Sequence, residues 1–361
     1  MTDPIRVIVT GVAGGSIGEQ VCKALYLGWH GYDVLATNLT EPAMRAVKAD
    51  RYALLPPASS ETYLEELLRL VKGHSAQFVI PGSDPELVFL SSRRSVFSDL
   101  GVGLLCNSPS VVAICVDKVS TFEALAALGV EIPATLAVRE LADLDRVPGT
   151  APWIVKPARG SGGSALAFIA QDRDELRFFA RYLLDCRCPP LVQAYLVSAE
   201  QEYTVGVLHD PDGVLMGSVV LHRWILSGMS NRVRVPNRTD RRELGEVLAI
   251  SSGISQGSIV DFPAVREQAE RIAQGLRSAG PLNIQGRWNG AAFVPFEINP
   301  RFSGTTPMRA MAGFNEPGLL IDWHLHPGRG PRPRPVARCG HFTRGLIEHF
   351  EPEGEPEGGK G

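Results

Sequence analysis

Alternating strand and helix patterns in the first hundred residues constrain the fold of this chain more than any other feature. Apolar segments typical of strands cover 5–10, 32–37 and 78–81, and helical patterns cover 17–27, 62–72 and 86–97. Strands that alternate with helices pair in parallel, because the chain crosses over between them. The sequence therefore predicts an N-terminal α/β domain with a parallel sheet over residues 1–108.

A glycine-rich segment over 11–18 follows the first strand and precedes a helix, as a dinucleotide-binding turn does. Its spacing differs from that motif, since Ala13 stands where the second glycine is expected. Asn38, at the end of the next strand, stands where an acidic ribose ligand is expected. A tight turn that contacts a substrate is therefore preferred to the nicotinamide site of a dehydrogenase.

Beyond residue 108 antiparallel strands become more frequent than helices. The predicted strands are 153–156, 166–170, 191–195, 202–209, 214–225 and a hairpin over 282–298, and the predicted helices are 117–128, one that opens at Asp172, 239–249 and 263–278. Such an arrangement is typical of α+β domains. The tail 351–361 is rich in Glu, Gly and Pro and is expected to be disordered.

Lysine is scarce in this chain, with six lysines against thirty arginines. Between residues 73 and 359 only Lys118 and Lys156 occur, and Lys156 ends a strand just before the glycine-rich segment 160–164. Glycines let backbone N–H groups approach phosphate oxygens closely, and a lysine adds a compact positive charge. A flexible loop would explain the glycines alone, but the two lysines favour phosphate binding.

The hairpin over 282–298 carries the strongest indication of chemistry. Glu297 and Asn299 stand two apart on a strand, so both side chains project from one face, and their oxygens suit Mg²⁺. Gln285 joins them only if the turn sets the right register. A two-residue type I′ turn would place Gln285 and Glu297 on opposite faces, whereas a three-residue loop over 288–290 with Gly290 left-handed places them together. We predict the three-residue loop; a solvated edge hairpin is the alternative.

Two further segments suggest ligand contacts. The stretch 192–202 connects two lobes and offers backbone groups to an adenine edge, with Glu202 as the ribose ligand and Glu200 as the alternative. Arginines bind carboxylates through paired N–H donors, so Arg223, Arg232 and Arg234 are candidates to hold a carboxylate substrate, with His222 beside them. Surface solvation explains Arg232 and Arg234 equally well, and His222 is a core histidine in the alternative interpretation.

The order of these motifs resembles that of the ATP-grasp superfamily, and within it the branch of the carbamoyl-phosphate synthase large subunit. The motifs that carry the resemblance are Lys156-Pro157, Gln193-Ala-Tyr-Leu196, Asn283-Ile-Gln-Gly-Arg287 and Glu297-Ile-Asn-Pro-Arg301. The resemblance implies a Rossmann-like domain over 1–108, followed by a two-lobed ATP-grasp fold. Its N-terminal part with a glycine-loop lid would cover 109–190, and its C-terminal lobe with the metal site 191–350.

The resemblance also implies roles for particular residues. ATP would contact Lys118, Lys156, Gly160, Ser161, Gly162, Gly163, Gln193, Tyr195, Leu196 and Glu202. Two Mg²⁺ ions, with Mn²⁺ as a substitute, would be held by Gln285, Glu297 and Asn299. The catalytic candidates are Arg301, Lys156 and Arg287.

The function that these expectations describe is an ATP-dependent carboxylate–amine ligase. A small, amino-acid-like carboxylate would become an acyl phosphate, an amine would attack it, and ADP and phosphate would leave. Activation of bicarbonate or carbamate is the alternative reaction. A non-catalytic nucleotide-binding sensor is the alternative of another class.

The composition of the chain indicates which binding partners and which cellular compartment to expect. The net charge of −3 gives no basic surface for nucleic acid. No apolar run reaches the roughly 20 residues of a membrane span. The N-terminal segment lacks the pattern of a secretory signal, and six scattered cysteines suit a reducing compartment, so we expect a cytoplasmic location. The expected partners are small molecules, with a homodimer left open.

Overall fold

The computed structural model describes residues 3–160, 166–327 and 337–345. The predicted phosphate-loop residues Ser161, Gly162 and Gly163 and the tail 351–361 lie outside these ranges. Within the described residues, no helix is both long enough and apolar enough to cross a membrane.

The N-terminal region contains a five-stranded parallel sheet. Its strands are β1 (Ile5–Val9), β2 (Tyr32–Asn38), β3 (Arg51–Leu54), β4 (Phe78–Ile80) and β5 (Gly103–Leu104). They lie in the order β3-β2-β1-β4-β5, and all neighbours are parallel. The helices are α1 (Ile17–Tyr26), α2 (Glu41–Arg45), α3 (Tyr63–His74), α4 (Asp84–Ser91) and α5 (Arg94–Ser98). The predicted parallel sheet is therefore confirmed.

Some predicted boundaries in this region are wrong. The single helix predicted over 86–97 is two helices, because Ser91 and Ser92 each donate a side-chain hydrogen bond to a backbone carbonyl of the preceding turn and the helix ends there. Strand β3 was not predicted, since it is a short and largely exposed edge strand without an apolar run.

A second, four-stranded antiparallel sheet follows. Two helices precede it, α6 (Pro109–Val116) and α7 (Lys118–Ala127). The strands are β6 (Thr135–Ala137), β7 (Trp153–Pro157), β8 (Phe168–Ala170) and β9 (Pro190–Ala194), and they lie in the order β6-β9-β7-β8. One helix, α8 (Arg173–Asp185), covers the sheet, and Asp172 caps its N-terminus by accepting a hydrogen bond from the Glu175 amide. We call this unit the lid sheet.

The rest of the chain is built on a larger antiparallel sheet. Its elements are β10 (Glu202–His209), β11 (Leu215–Arg223), β12 (Asn231–Pro236), β13 (Val247–Ser251), β14 (Gly257–Ile259), α9 (Pro263–Gly275), β15 (Pro281–Trp288), β16 (Phe293–Asn299), α10 (Thr306–Met311), α11 (Glu316–Leu325) and β17 (Gly340–Phe342). Six strands form the sheet in the order β16-β15-β10-β11-β14-β17. Helix α9 packs on one face through Val265, Ala269 and Ile272, and the opposite face carries the polar residues of the site.

The predicted helix over 239–249 is wrong. Strands β12 and β13 pair as a two-stranded ribbon instead, with a short 3₁₀ turn over Arg242–Leu244 between them. Gly245 has a φ of +88°, outside the helical region, and so ends that turn before β13 begins. This ribbon packs against the lid sheet: Leu244 and Leu248 join Ile169 and Tyr195 in one apolar cluster.

Candidate active site

A cleft of about 290 Å³ lies between the lid sheet and the six-stranded sheet. It brings together many of the residues that the sequence singled out: Lys118, Lys156, Gly160, Gln193, Tyr195, Leu196, Glu202, Arg287 and Glu297. The ribbon adds Ala249, Ile250 and Ser251 to the lining. The sequence did not indicate this contribution, and Ala249 lies in the segment 239–249 that was wrongly predicted as a helix.

Lys156 lies at one end of this cleft and is the second-to-last residue of β7. Its Nζ donates a hydrogen bond to the carbonyl oxygen of Phe296 at 3.0 Å, so it reaches across from the lid sheet to β16. Burial lowers the pKa of Lys156 to about 7, against the opposing effect of the Glu297 carboxylate, and Lys118 lowers it further. Lys118 lies beside it and donates to the carbonyl of Gly160 at 2.9 Å.

Gln285 and Glu297 share one face of the hairpin, as predicted, but the predicted turn is wrong. Trp288 pairs with Phe293, so the connection covers residues 289–292 and has four residues. The pairing shifts by one residue at a β-bulge, because Gly286 pairs with Pro295 and Phe296 is left unpaired. Gln285 therefore lies opposite Glu297. Without that bulge Gln285 would face Phe296, and the two polar side chains would lie on opposite faces.

The oxygens near Glu297 fit a hard cation. Asn299 lies two residues after Glu297 on the same face of β16, opposite Asn283. Glu297 and Asn299 therefore offer a carboxylate and an amide oxygen side by side. The Gln285 amide is turned differently, because its Oε1 accepts from Arg223 at 2.9 Å and its Nε2 lies 3.5 Å from Glu297. Within the described ranges no group of three or more His, Cys, Asp or Glu side chains could hold a metal, so amide oxygens would have to complete the set.

Glu202 lies between two buried arginines. Its Oε1 accepts from Arg223 at 2.9 Å, and its Oε2 accepts from Arg287 at 3.3 Å. Arg287 also donates to the backbone carbonyls of Val197 and Ala249. Tyr195 stacks near the Arg287 guanidinium, at 4.6 Å from the ring centroid. Although Glu202 and Arg287 line the cleft, their charged groups mainly bind other groups of the protein.

The predicted substrate role of Arg223 does not agree with the structure. The residue is only 2% exposed, and its guanidinium donates to Glu202, Gln285 and the carbonyl of Ser252. Three internal acceptors hold the guanidinium, and burial keeps it away from the cleft lining, although its Nε has no hydrogen-bond partner among the described residues. Burial lowers its pKa, although the neighbouring Glu202 and Glu297 carboxylates oppose that shift.

The other predicted substrate residues lie away from the cleft lining. Strand β12 alternates, so Val233 and Val235 face the apolar cluster while Arg232 and Arg234 face solvent. The His222 ring shares a hydrogen bond with the carbonyl of Glu200 at 2.7 Å and packs on Tyr203. These contacts correspond to the surface and packing alternatives.

Arg301 makes a contact that the sequence did not indicate. Its Nε donates to Asp84 Oδ1 at 2.6 Å, and its Nη2 donates to Asn299 Oδ1 at 3.2 Å. Asp84 begins α4 just beyond the carboxyl end of β4, and β4 lies next to β1 where the strand order reverses. Ligands of α/β sheets bind at such a switch point, so this rule was the one available signal for Asp84.

Comparison with known proteins finds similar families over two parts of the chain. Residues 12–105 match a family model described as the PylC-like N-terminal domain, and residues 241–343 match one described as ATP-grasp in the biosynthetic pathway with Ter operon. The chain is thus similar to ATP-grasp proteins over 241–343 and is homologous to the carbamoyl phosphate synthase large chain. The resemblance on which the sequence interpretation rested is thereby confirmed.

The relatives in question are much longer proteins than this chain. It is 24% identical over 327 residues to the carbamoyl phosphate synthase large chain of Vibrio cholerae, across 86% of this chain and 28% of that one. The corresponding protein of Pseudomonas syringae is 22% identical, across 84% of this chain and 27% of its own length. The chain therefore spans just over a quarter of the curated relatives that it matches.

Solved ATP-grasp structures have the same fold. An L-amino acid ligase from Bacillus licheniformis superposes with a TM-score of 0.61 at 15% identity, over 93% of this chain and 76% of that one. The biotin carboxylase domain of the Hydrogenobacter thermophilus 2-oxoglutarate carboxylase gives 0.60 at 15% identity, over 92% and 71%. These likenesses confirm the predicted fold class, a parallel-sheet domain followed by an ATP-grasp fold.

Proposed function

We propose that this protein is an ATP-dependent carboxylate–amine ligase that works through an acyl phosphate. The observation that carries the proposal is the position of Lys156, whose Nζ bonds to the carbonyl of Phe296, directly before Glu297. A buried lysine beside a carboxylate, at one end of a cleft, suits the phosphates of a nucleotide and its metal.

The nucleotide would occupy the cleft with its base between apolar side chains. Ile154, Leu196 and Ile250 come from the lid sheet, the connection after β9 and the ribbon, and together they form walls that suit an adenine ring. Lys118 and Lys156 then lie at the phosphate end. Ribose binding by Glu202 stays part of the proposal, although both of its oxygens already accept hydrogen bonds from arginines.

Phosphoryl transfer mainly needs positioning and charge compensation. Lys156, Lys118 and Arg301 would compensate the negative charge on the transferred group, while Glu297 and Asn299, with Gln285, would hold Mg²⁺. A bound Mg²⁺ supplies Lewis-acid stabilisation of phosphate oxygens. The carboxylate oxygen of the substrate attacks the terminal phosphorus, ADP leaves with the bridging oxygen, and an amine nitrogen then attacks the acyl carbon and expels phosphate.

The relatives support this reaction class and one alternative. The L-amino acid ligase of Bacillus licheniformis and the D-alanine–D-alanine ligase of Bacillus anthracis are named for joining amino acids. The carbamoyl phosphate synthases and the biotin carboxylase domain with bicarbonate support bicarbonate as the second candidate acid. We favour an organic carboxylate because Arg301 and Asp84 place one positive and one negative charge beside the phosphate end. Bicarbonate carries only a negative group and would make no use of Asp84.

The test is ADP formation from ATP and Mg²⁺ across a panel of amino acids, singly and in pairs, and with bicarbonate alone. The proposal expects ADP to form with particular acid–amine pairs, with the amide as product by mass spectrometry, and expects Glu297→Ala to abolish it. ADP formation with bicarbonate alone would favour the second candidate. ATP binding without turnover under every condition would contradict both and leave a nucleotide sensor.

A further inference from the structure

The ion pair between Asp84 and Arg301 joins the N-terminal sheet to the end of β16. Arg301 Nε donates to Asp84 Oδ1 at 2.6 Å, and the two side chains are 15% and 14% exposed. Helix α4 does not need Asp84 as its cap, because the Ser83 hydroxyl accepts the hydrogen bond from the Glu86 amide. The Asp84 carboxylate is therefore not needed as the cap, and it contacts Arg301 across the two elements.

This pair borders the phosphate end of the cleft. Asp84 lines a small cavity together with Lys118, Glu297 and Asn299, and the cavity shares Lys118 and Glu297 with the nucleotide cleft. Its volume of about 30 Å³ leaves room for only one or two water molecules. An organic acid does not fit beside the intact pair, so it must replace the contact between Asp84 and Arg301.

We propose that Asp84 and Arg301 together select an α-amino acid as the substrate whose carboxylate is activated. The inference rests on the proposed ligase function and names its acid. In an α-amino acid the ammonium and carboxylate groups are attached to the same carbon, so one molecule can offer its carboxylate to Arg301 and its ammonium to Asp84. Both protein charges then keep a partner of opposite sign.

An acid without an ammonium group is expected to bind more weakly. Its carboxylate would take Arg301 and leave Asp84 as a poorly solvated carboxylate without its partner, which is unfavourable in a site of this exposure. The charge pair thus favours zwitterions over simple acids. Asp84 acts as a specificity residue for the acid, whereas Arg301 also faces the phosphoryl group.

The experiment uses hydroxylamine in place of the amine substrate, so that the second substrate need not be known. Its nitrogen attacks the acyl phosphate, phosphate leaves, and the hydroxamate is measured by colour with ferric ion. Matched acids are compared with ATP and Mg²⁺: alanine with propionate, leucine with 4-methylpentanoate, and phenylalanine with 3-phenylpropionate. The wild-type protein is expected to prefer at least one amino acid over its deaminated match by about tenfold or more.

Asp84→Asn is the decisive variant, because it keeps the shape of the side chain and removes its charge. It is expected to lower hydroxamate formation from the preferred amino acid by about tenfold or more and to leave the deaminated acid little changed, so that the preference is lost. Asp84→Glu keeps the charge and should retain part of the preference. Asp99→Asn, an exposed aspartate of the same region, is the matched control, and melting temperatures show that each variant is folded.

The outcomes separate the inference from the proposed function. Hydroxamate from amino acids and deaminated acids at equal rates, or an unchanged preference in a folded Asp84→Asn protein, overturns the inference and leaves the ligase. No hydroxamate from any acid, with ATP bound, overturns the proposed function and the inference with it.

Discussion

Lys156 Nζ donates a hydrogen bond to the carbonyl oxygen of Phe296 at 3.0 Å, which links strand β7 of the lid sheet to strand β16 of the six-stranded sheet. The contact buries the amine between the two layers, and burial lowers its pKa to about 7. At pH 7 such a lysine is neutral about half of the time, and phosphates bound at this end of the cleft, as proposed above, would favour its ammonium form.

The first prediction follows from that pKa. At pH 8 most of the free protein carries neutral Lys156, and bound phosphates favour the ammonium form, so nucleotide binding should take up close to one proton per site. The measurement is isothermal titration calorimetry at pH 8 in two buffers with different ionisation enthalpies. Lys156→Arg, which stays charged, should bind nucleotide without proton uptake. Equal binding enthalpies in both buffers for the wild-type protein would contradict the prediction.

The second prediction concerns the metal site. Glu297→Gln keeps an oxygen donor but removes the charge, so the Mg²⁺ concentration for half-maximal ADP formation should rise about 10- to 100-fold. Binding of nucleotide without metal should change little. Glu267→Gln, at an exposed position of α9, serves as the control. A variant with normal Mg²⁺ dependence would show that Glu297 does not contact the metal.

The third prediction separates two roles of Glu202. Its removal leaves Arg223 and Arg287 buried and close to each other without their shared carboxylate, so Glu202→Ala should lower the free energy of unfolding by about 3–5 kcal/mol. Glu200→Ala, an exposed position two residues earlier, should change it by less than about 0.5 kcal/mol. The measurement is the urea midpoint. If both variants are equally stable and only Glu202→Ala weakens ATP binding, Glu202 is a ribose ligand instead.

The fourth prediction tests the buried network behind the site. A Cβ at Gly206 would come within 2.0 Å of Arg309 Nη1, and that guanidinium binds Glu316 and Asn283. Gly206→Ala should therefore destabilise the protein by about 1–3 kcal/mol or more. Gly73→Ala, in helix α3, adds a Cβ that meets nothing within 4 Å beyond its chain neighbours and its own helix backbone, and should stabilise the protein by about 0.5–1 kcal/mol. Equal urea midpoints for the two variants would refute the close packing at Gly206.

Much of the architecture could be predicted from local patterns. Apolar periodicity indicated the parallel N-terminal sheet and most strands of the later sheets, because it reflects which side of an element is buried. The scarcity of lysine drew attention to Lys118 and Lys156, and residue spacing placed Glu297 and Asn299 on one face. Each of these signals lies within a few residues of the chain, so the sequence contains it directly.

The tertiary structure decided which of these residues meet. The bulge that aligns Gln285 with Glu297 depends on pairing between two strands, and a four-residue connection replaced the predicted three-residue loop. Arg223 suited a carboxylate substrate by its type, but the fold buries it against Glu202 and Gln285. Asp84 and Arg301 are 217 residues apart in sequence. Local periodicity indicates on which face of its helix or strand a residue lies. The packing of elements that are distant in sequence determines which residue it contacts.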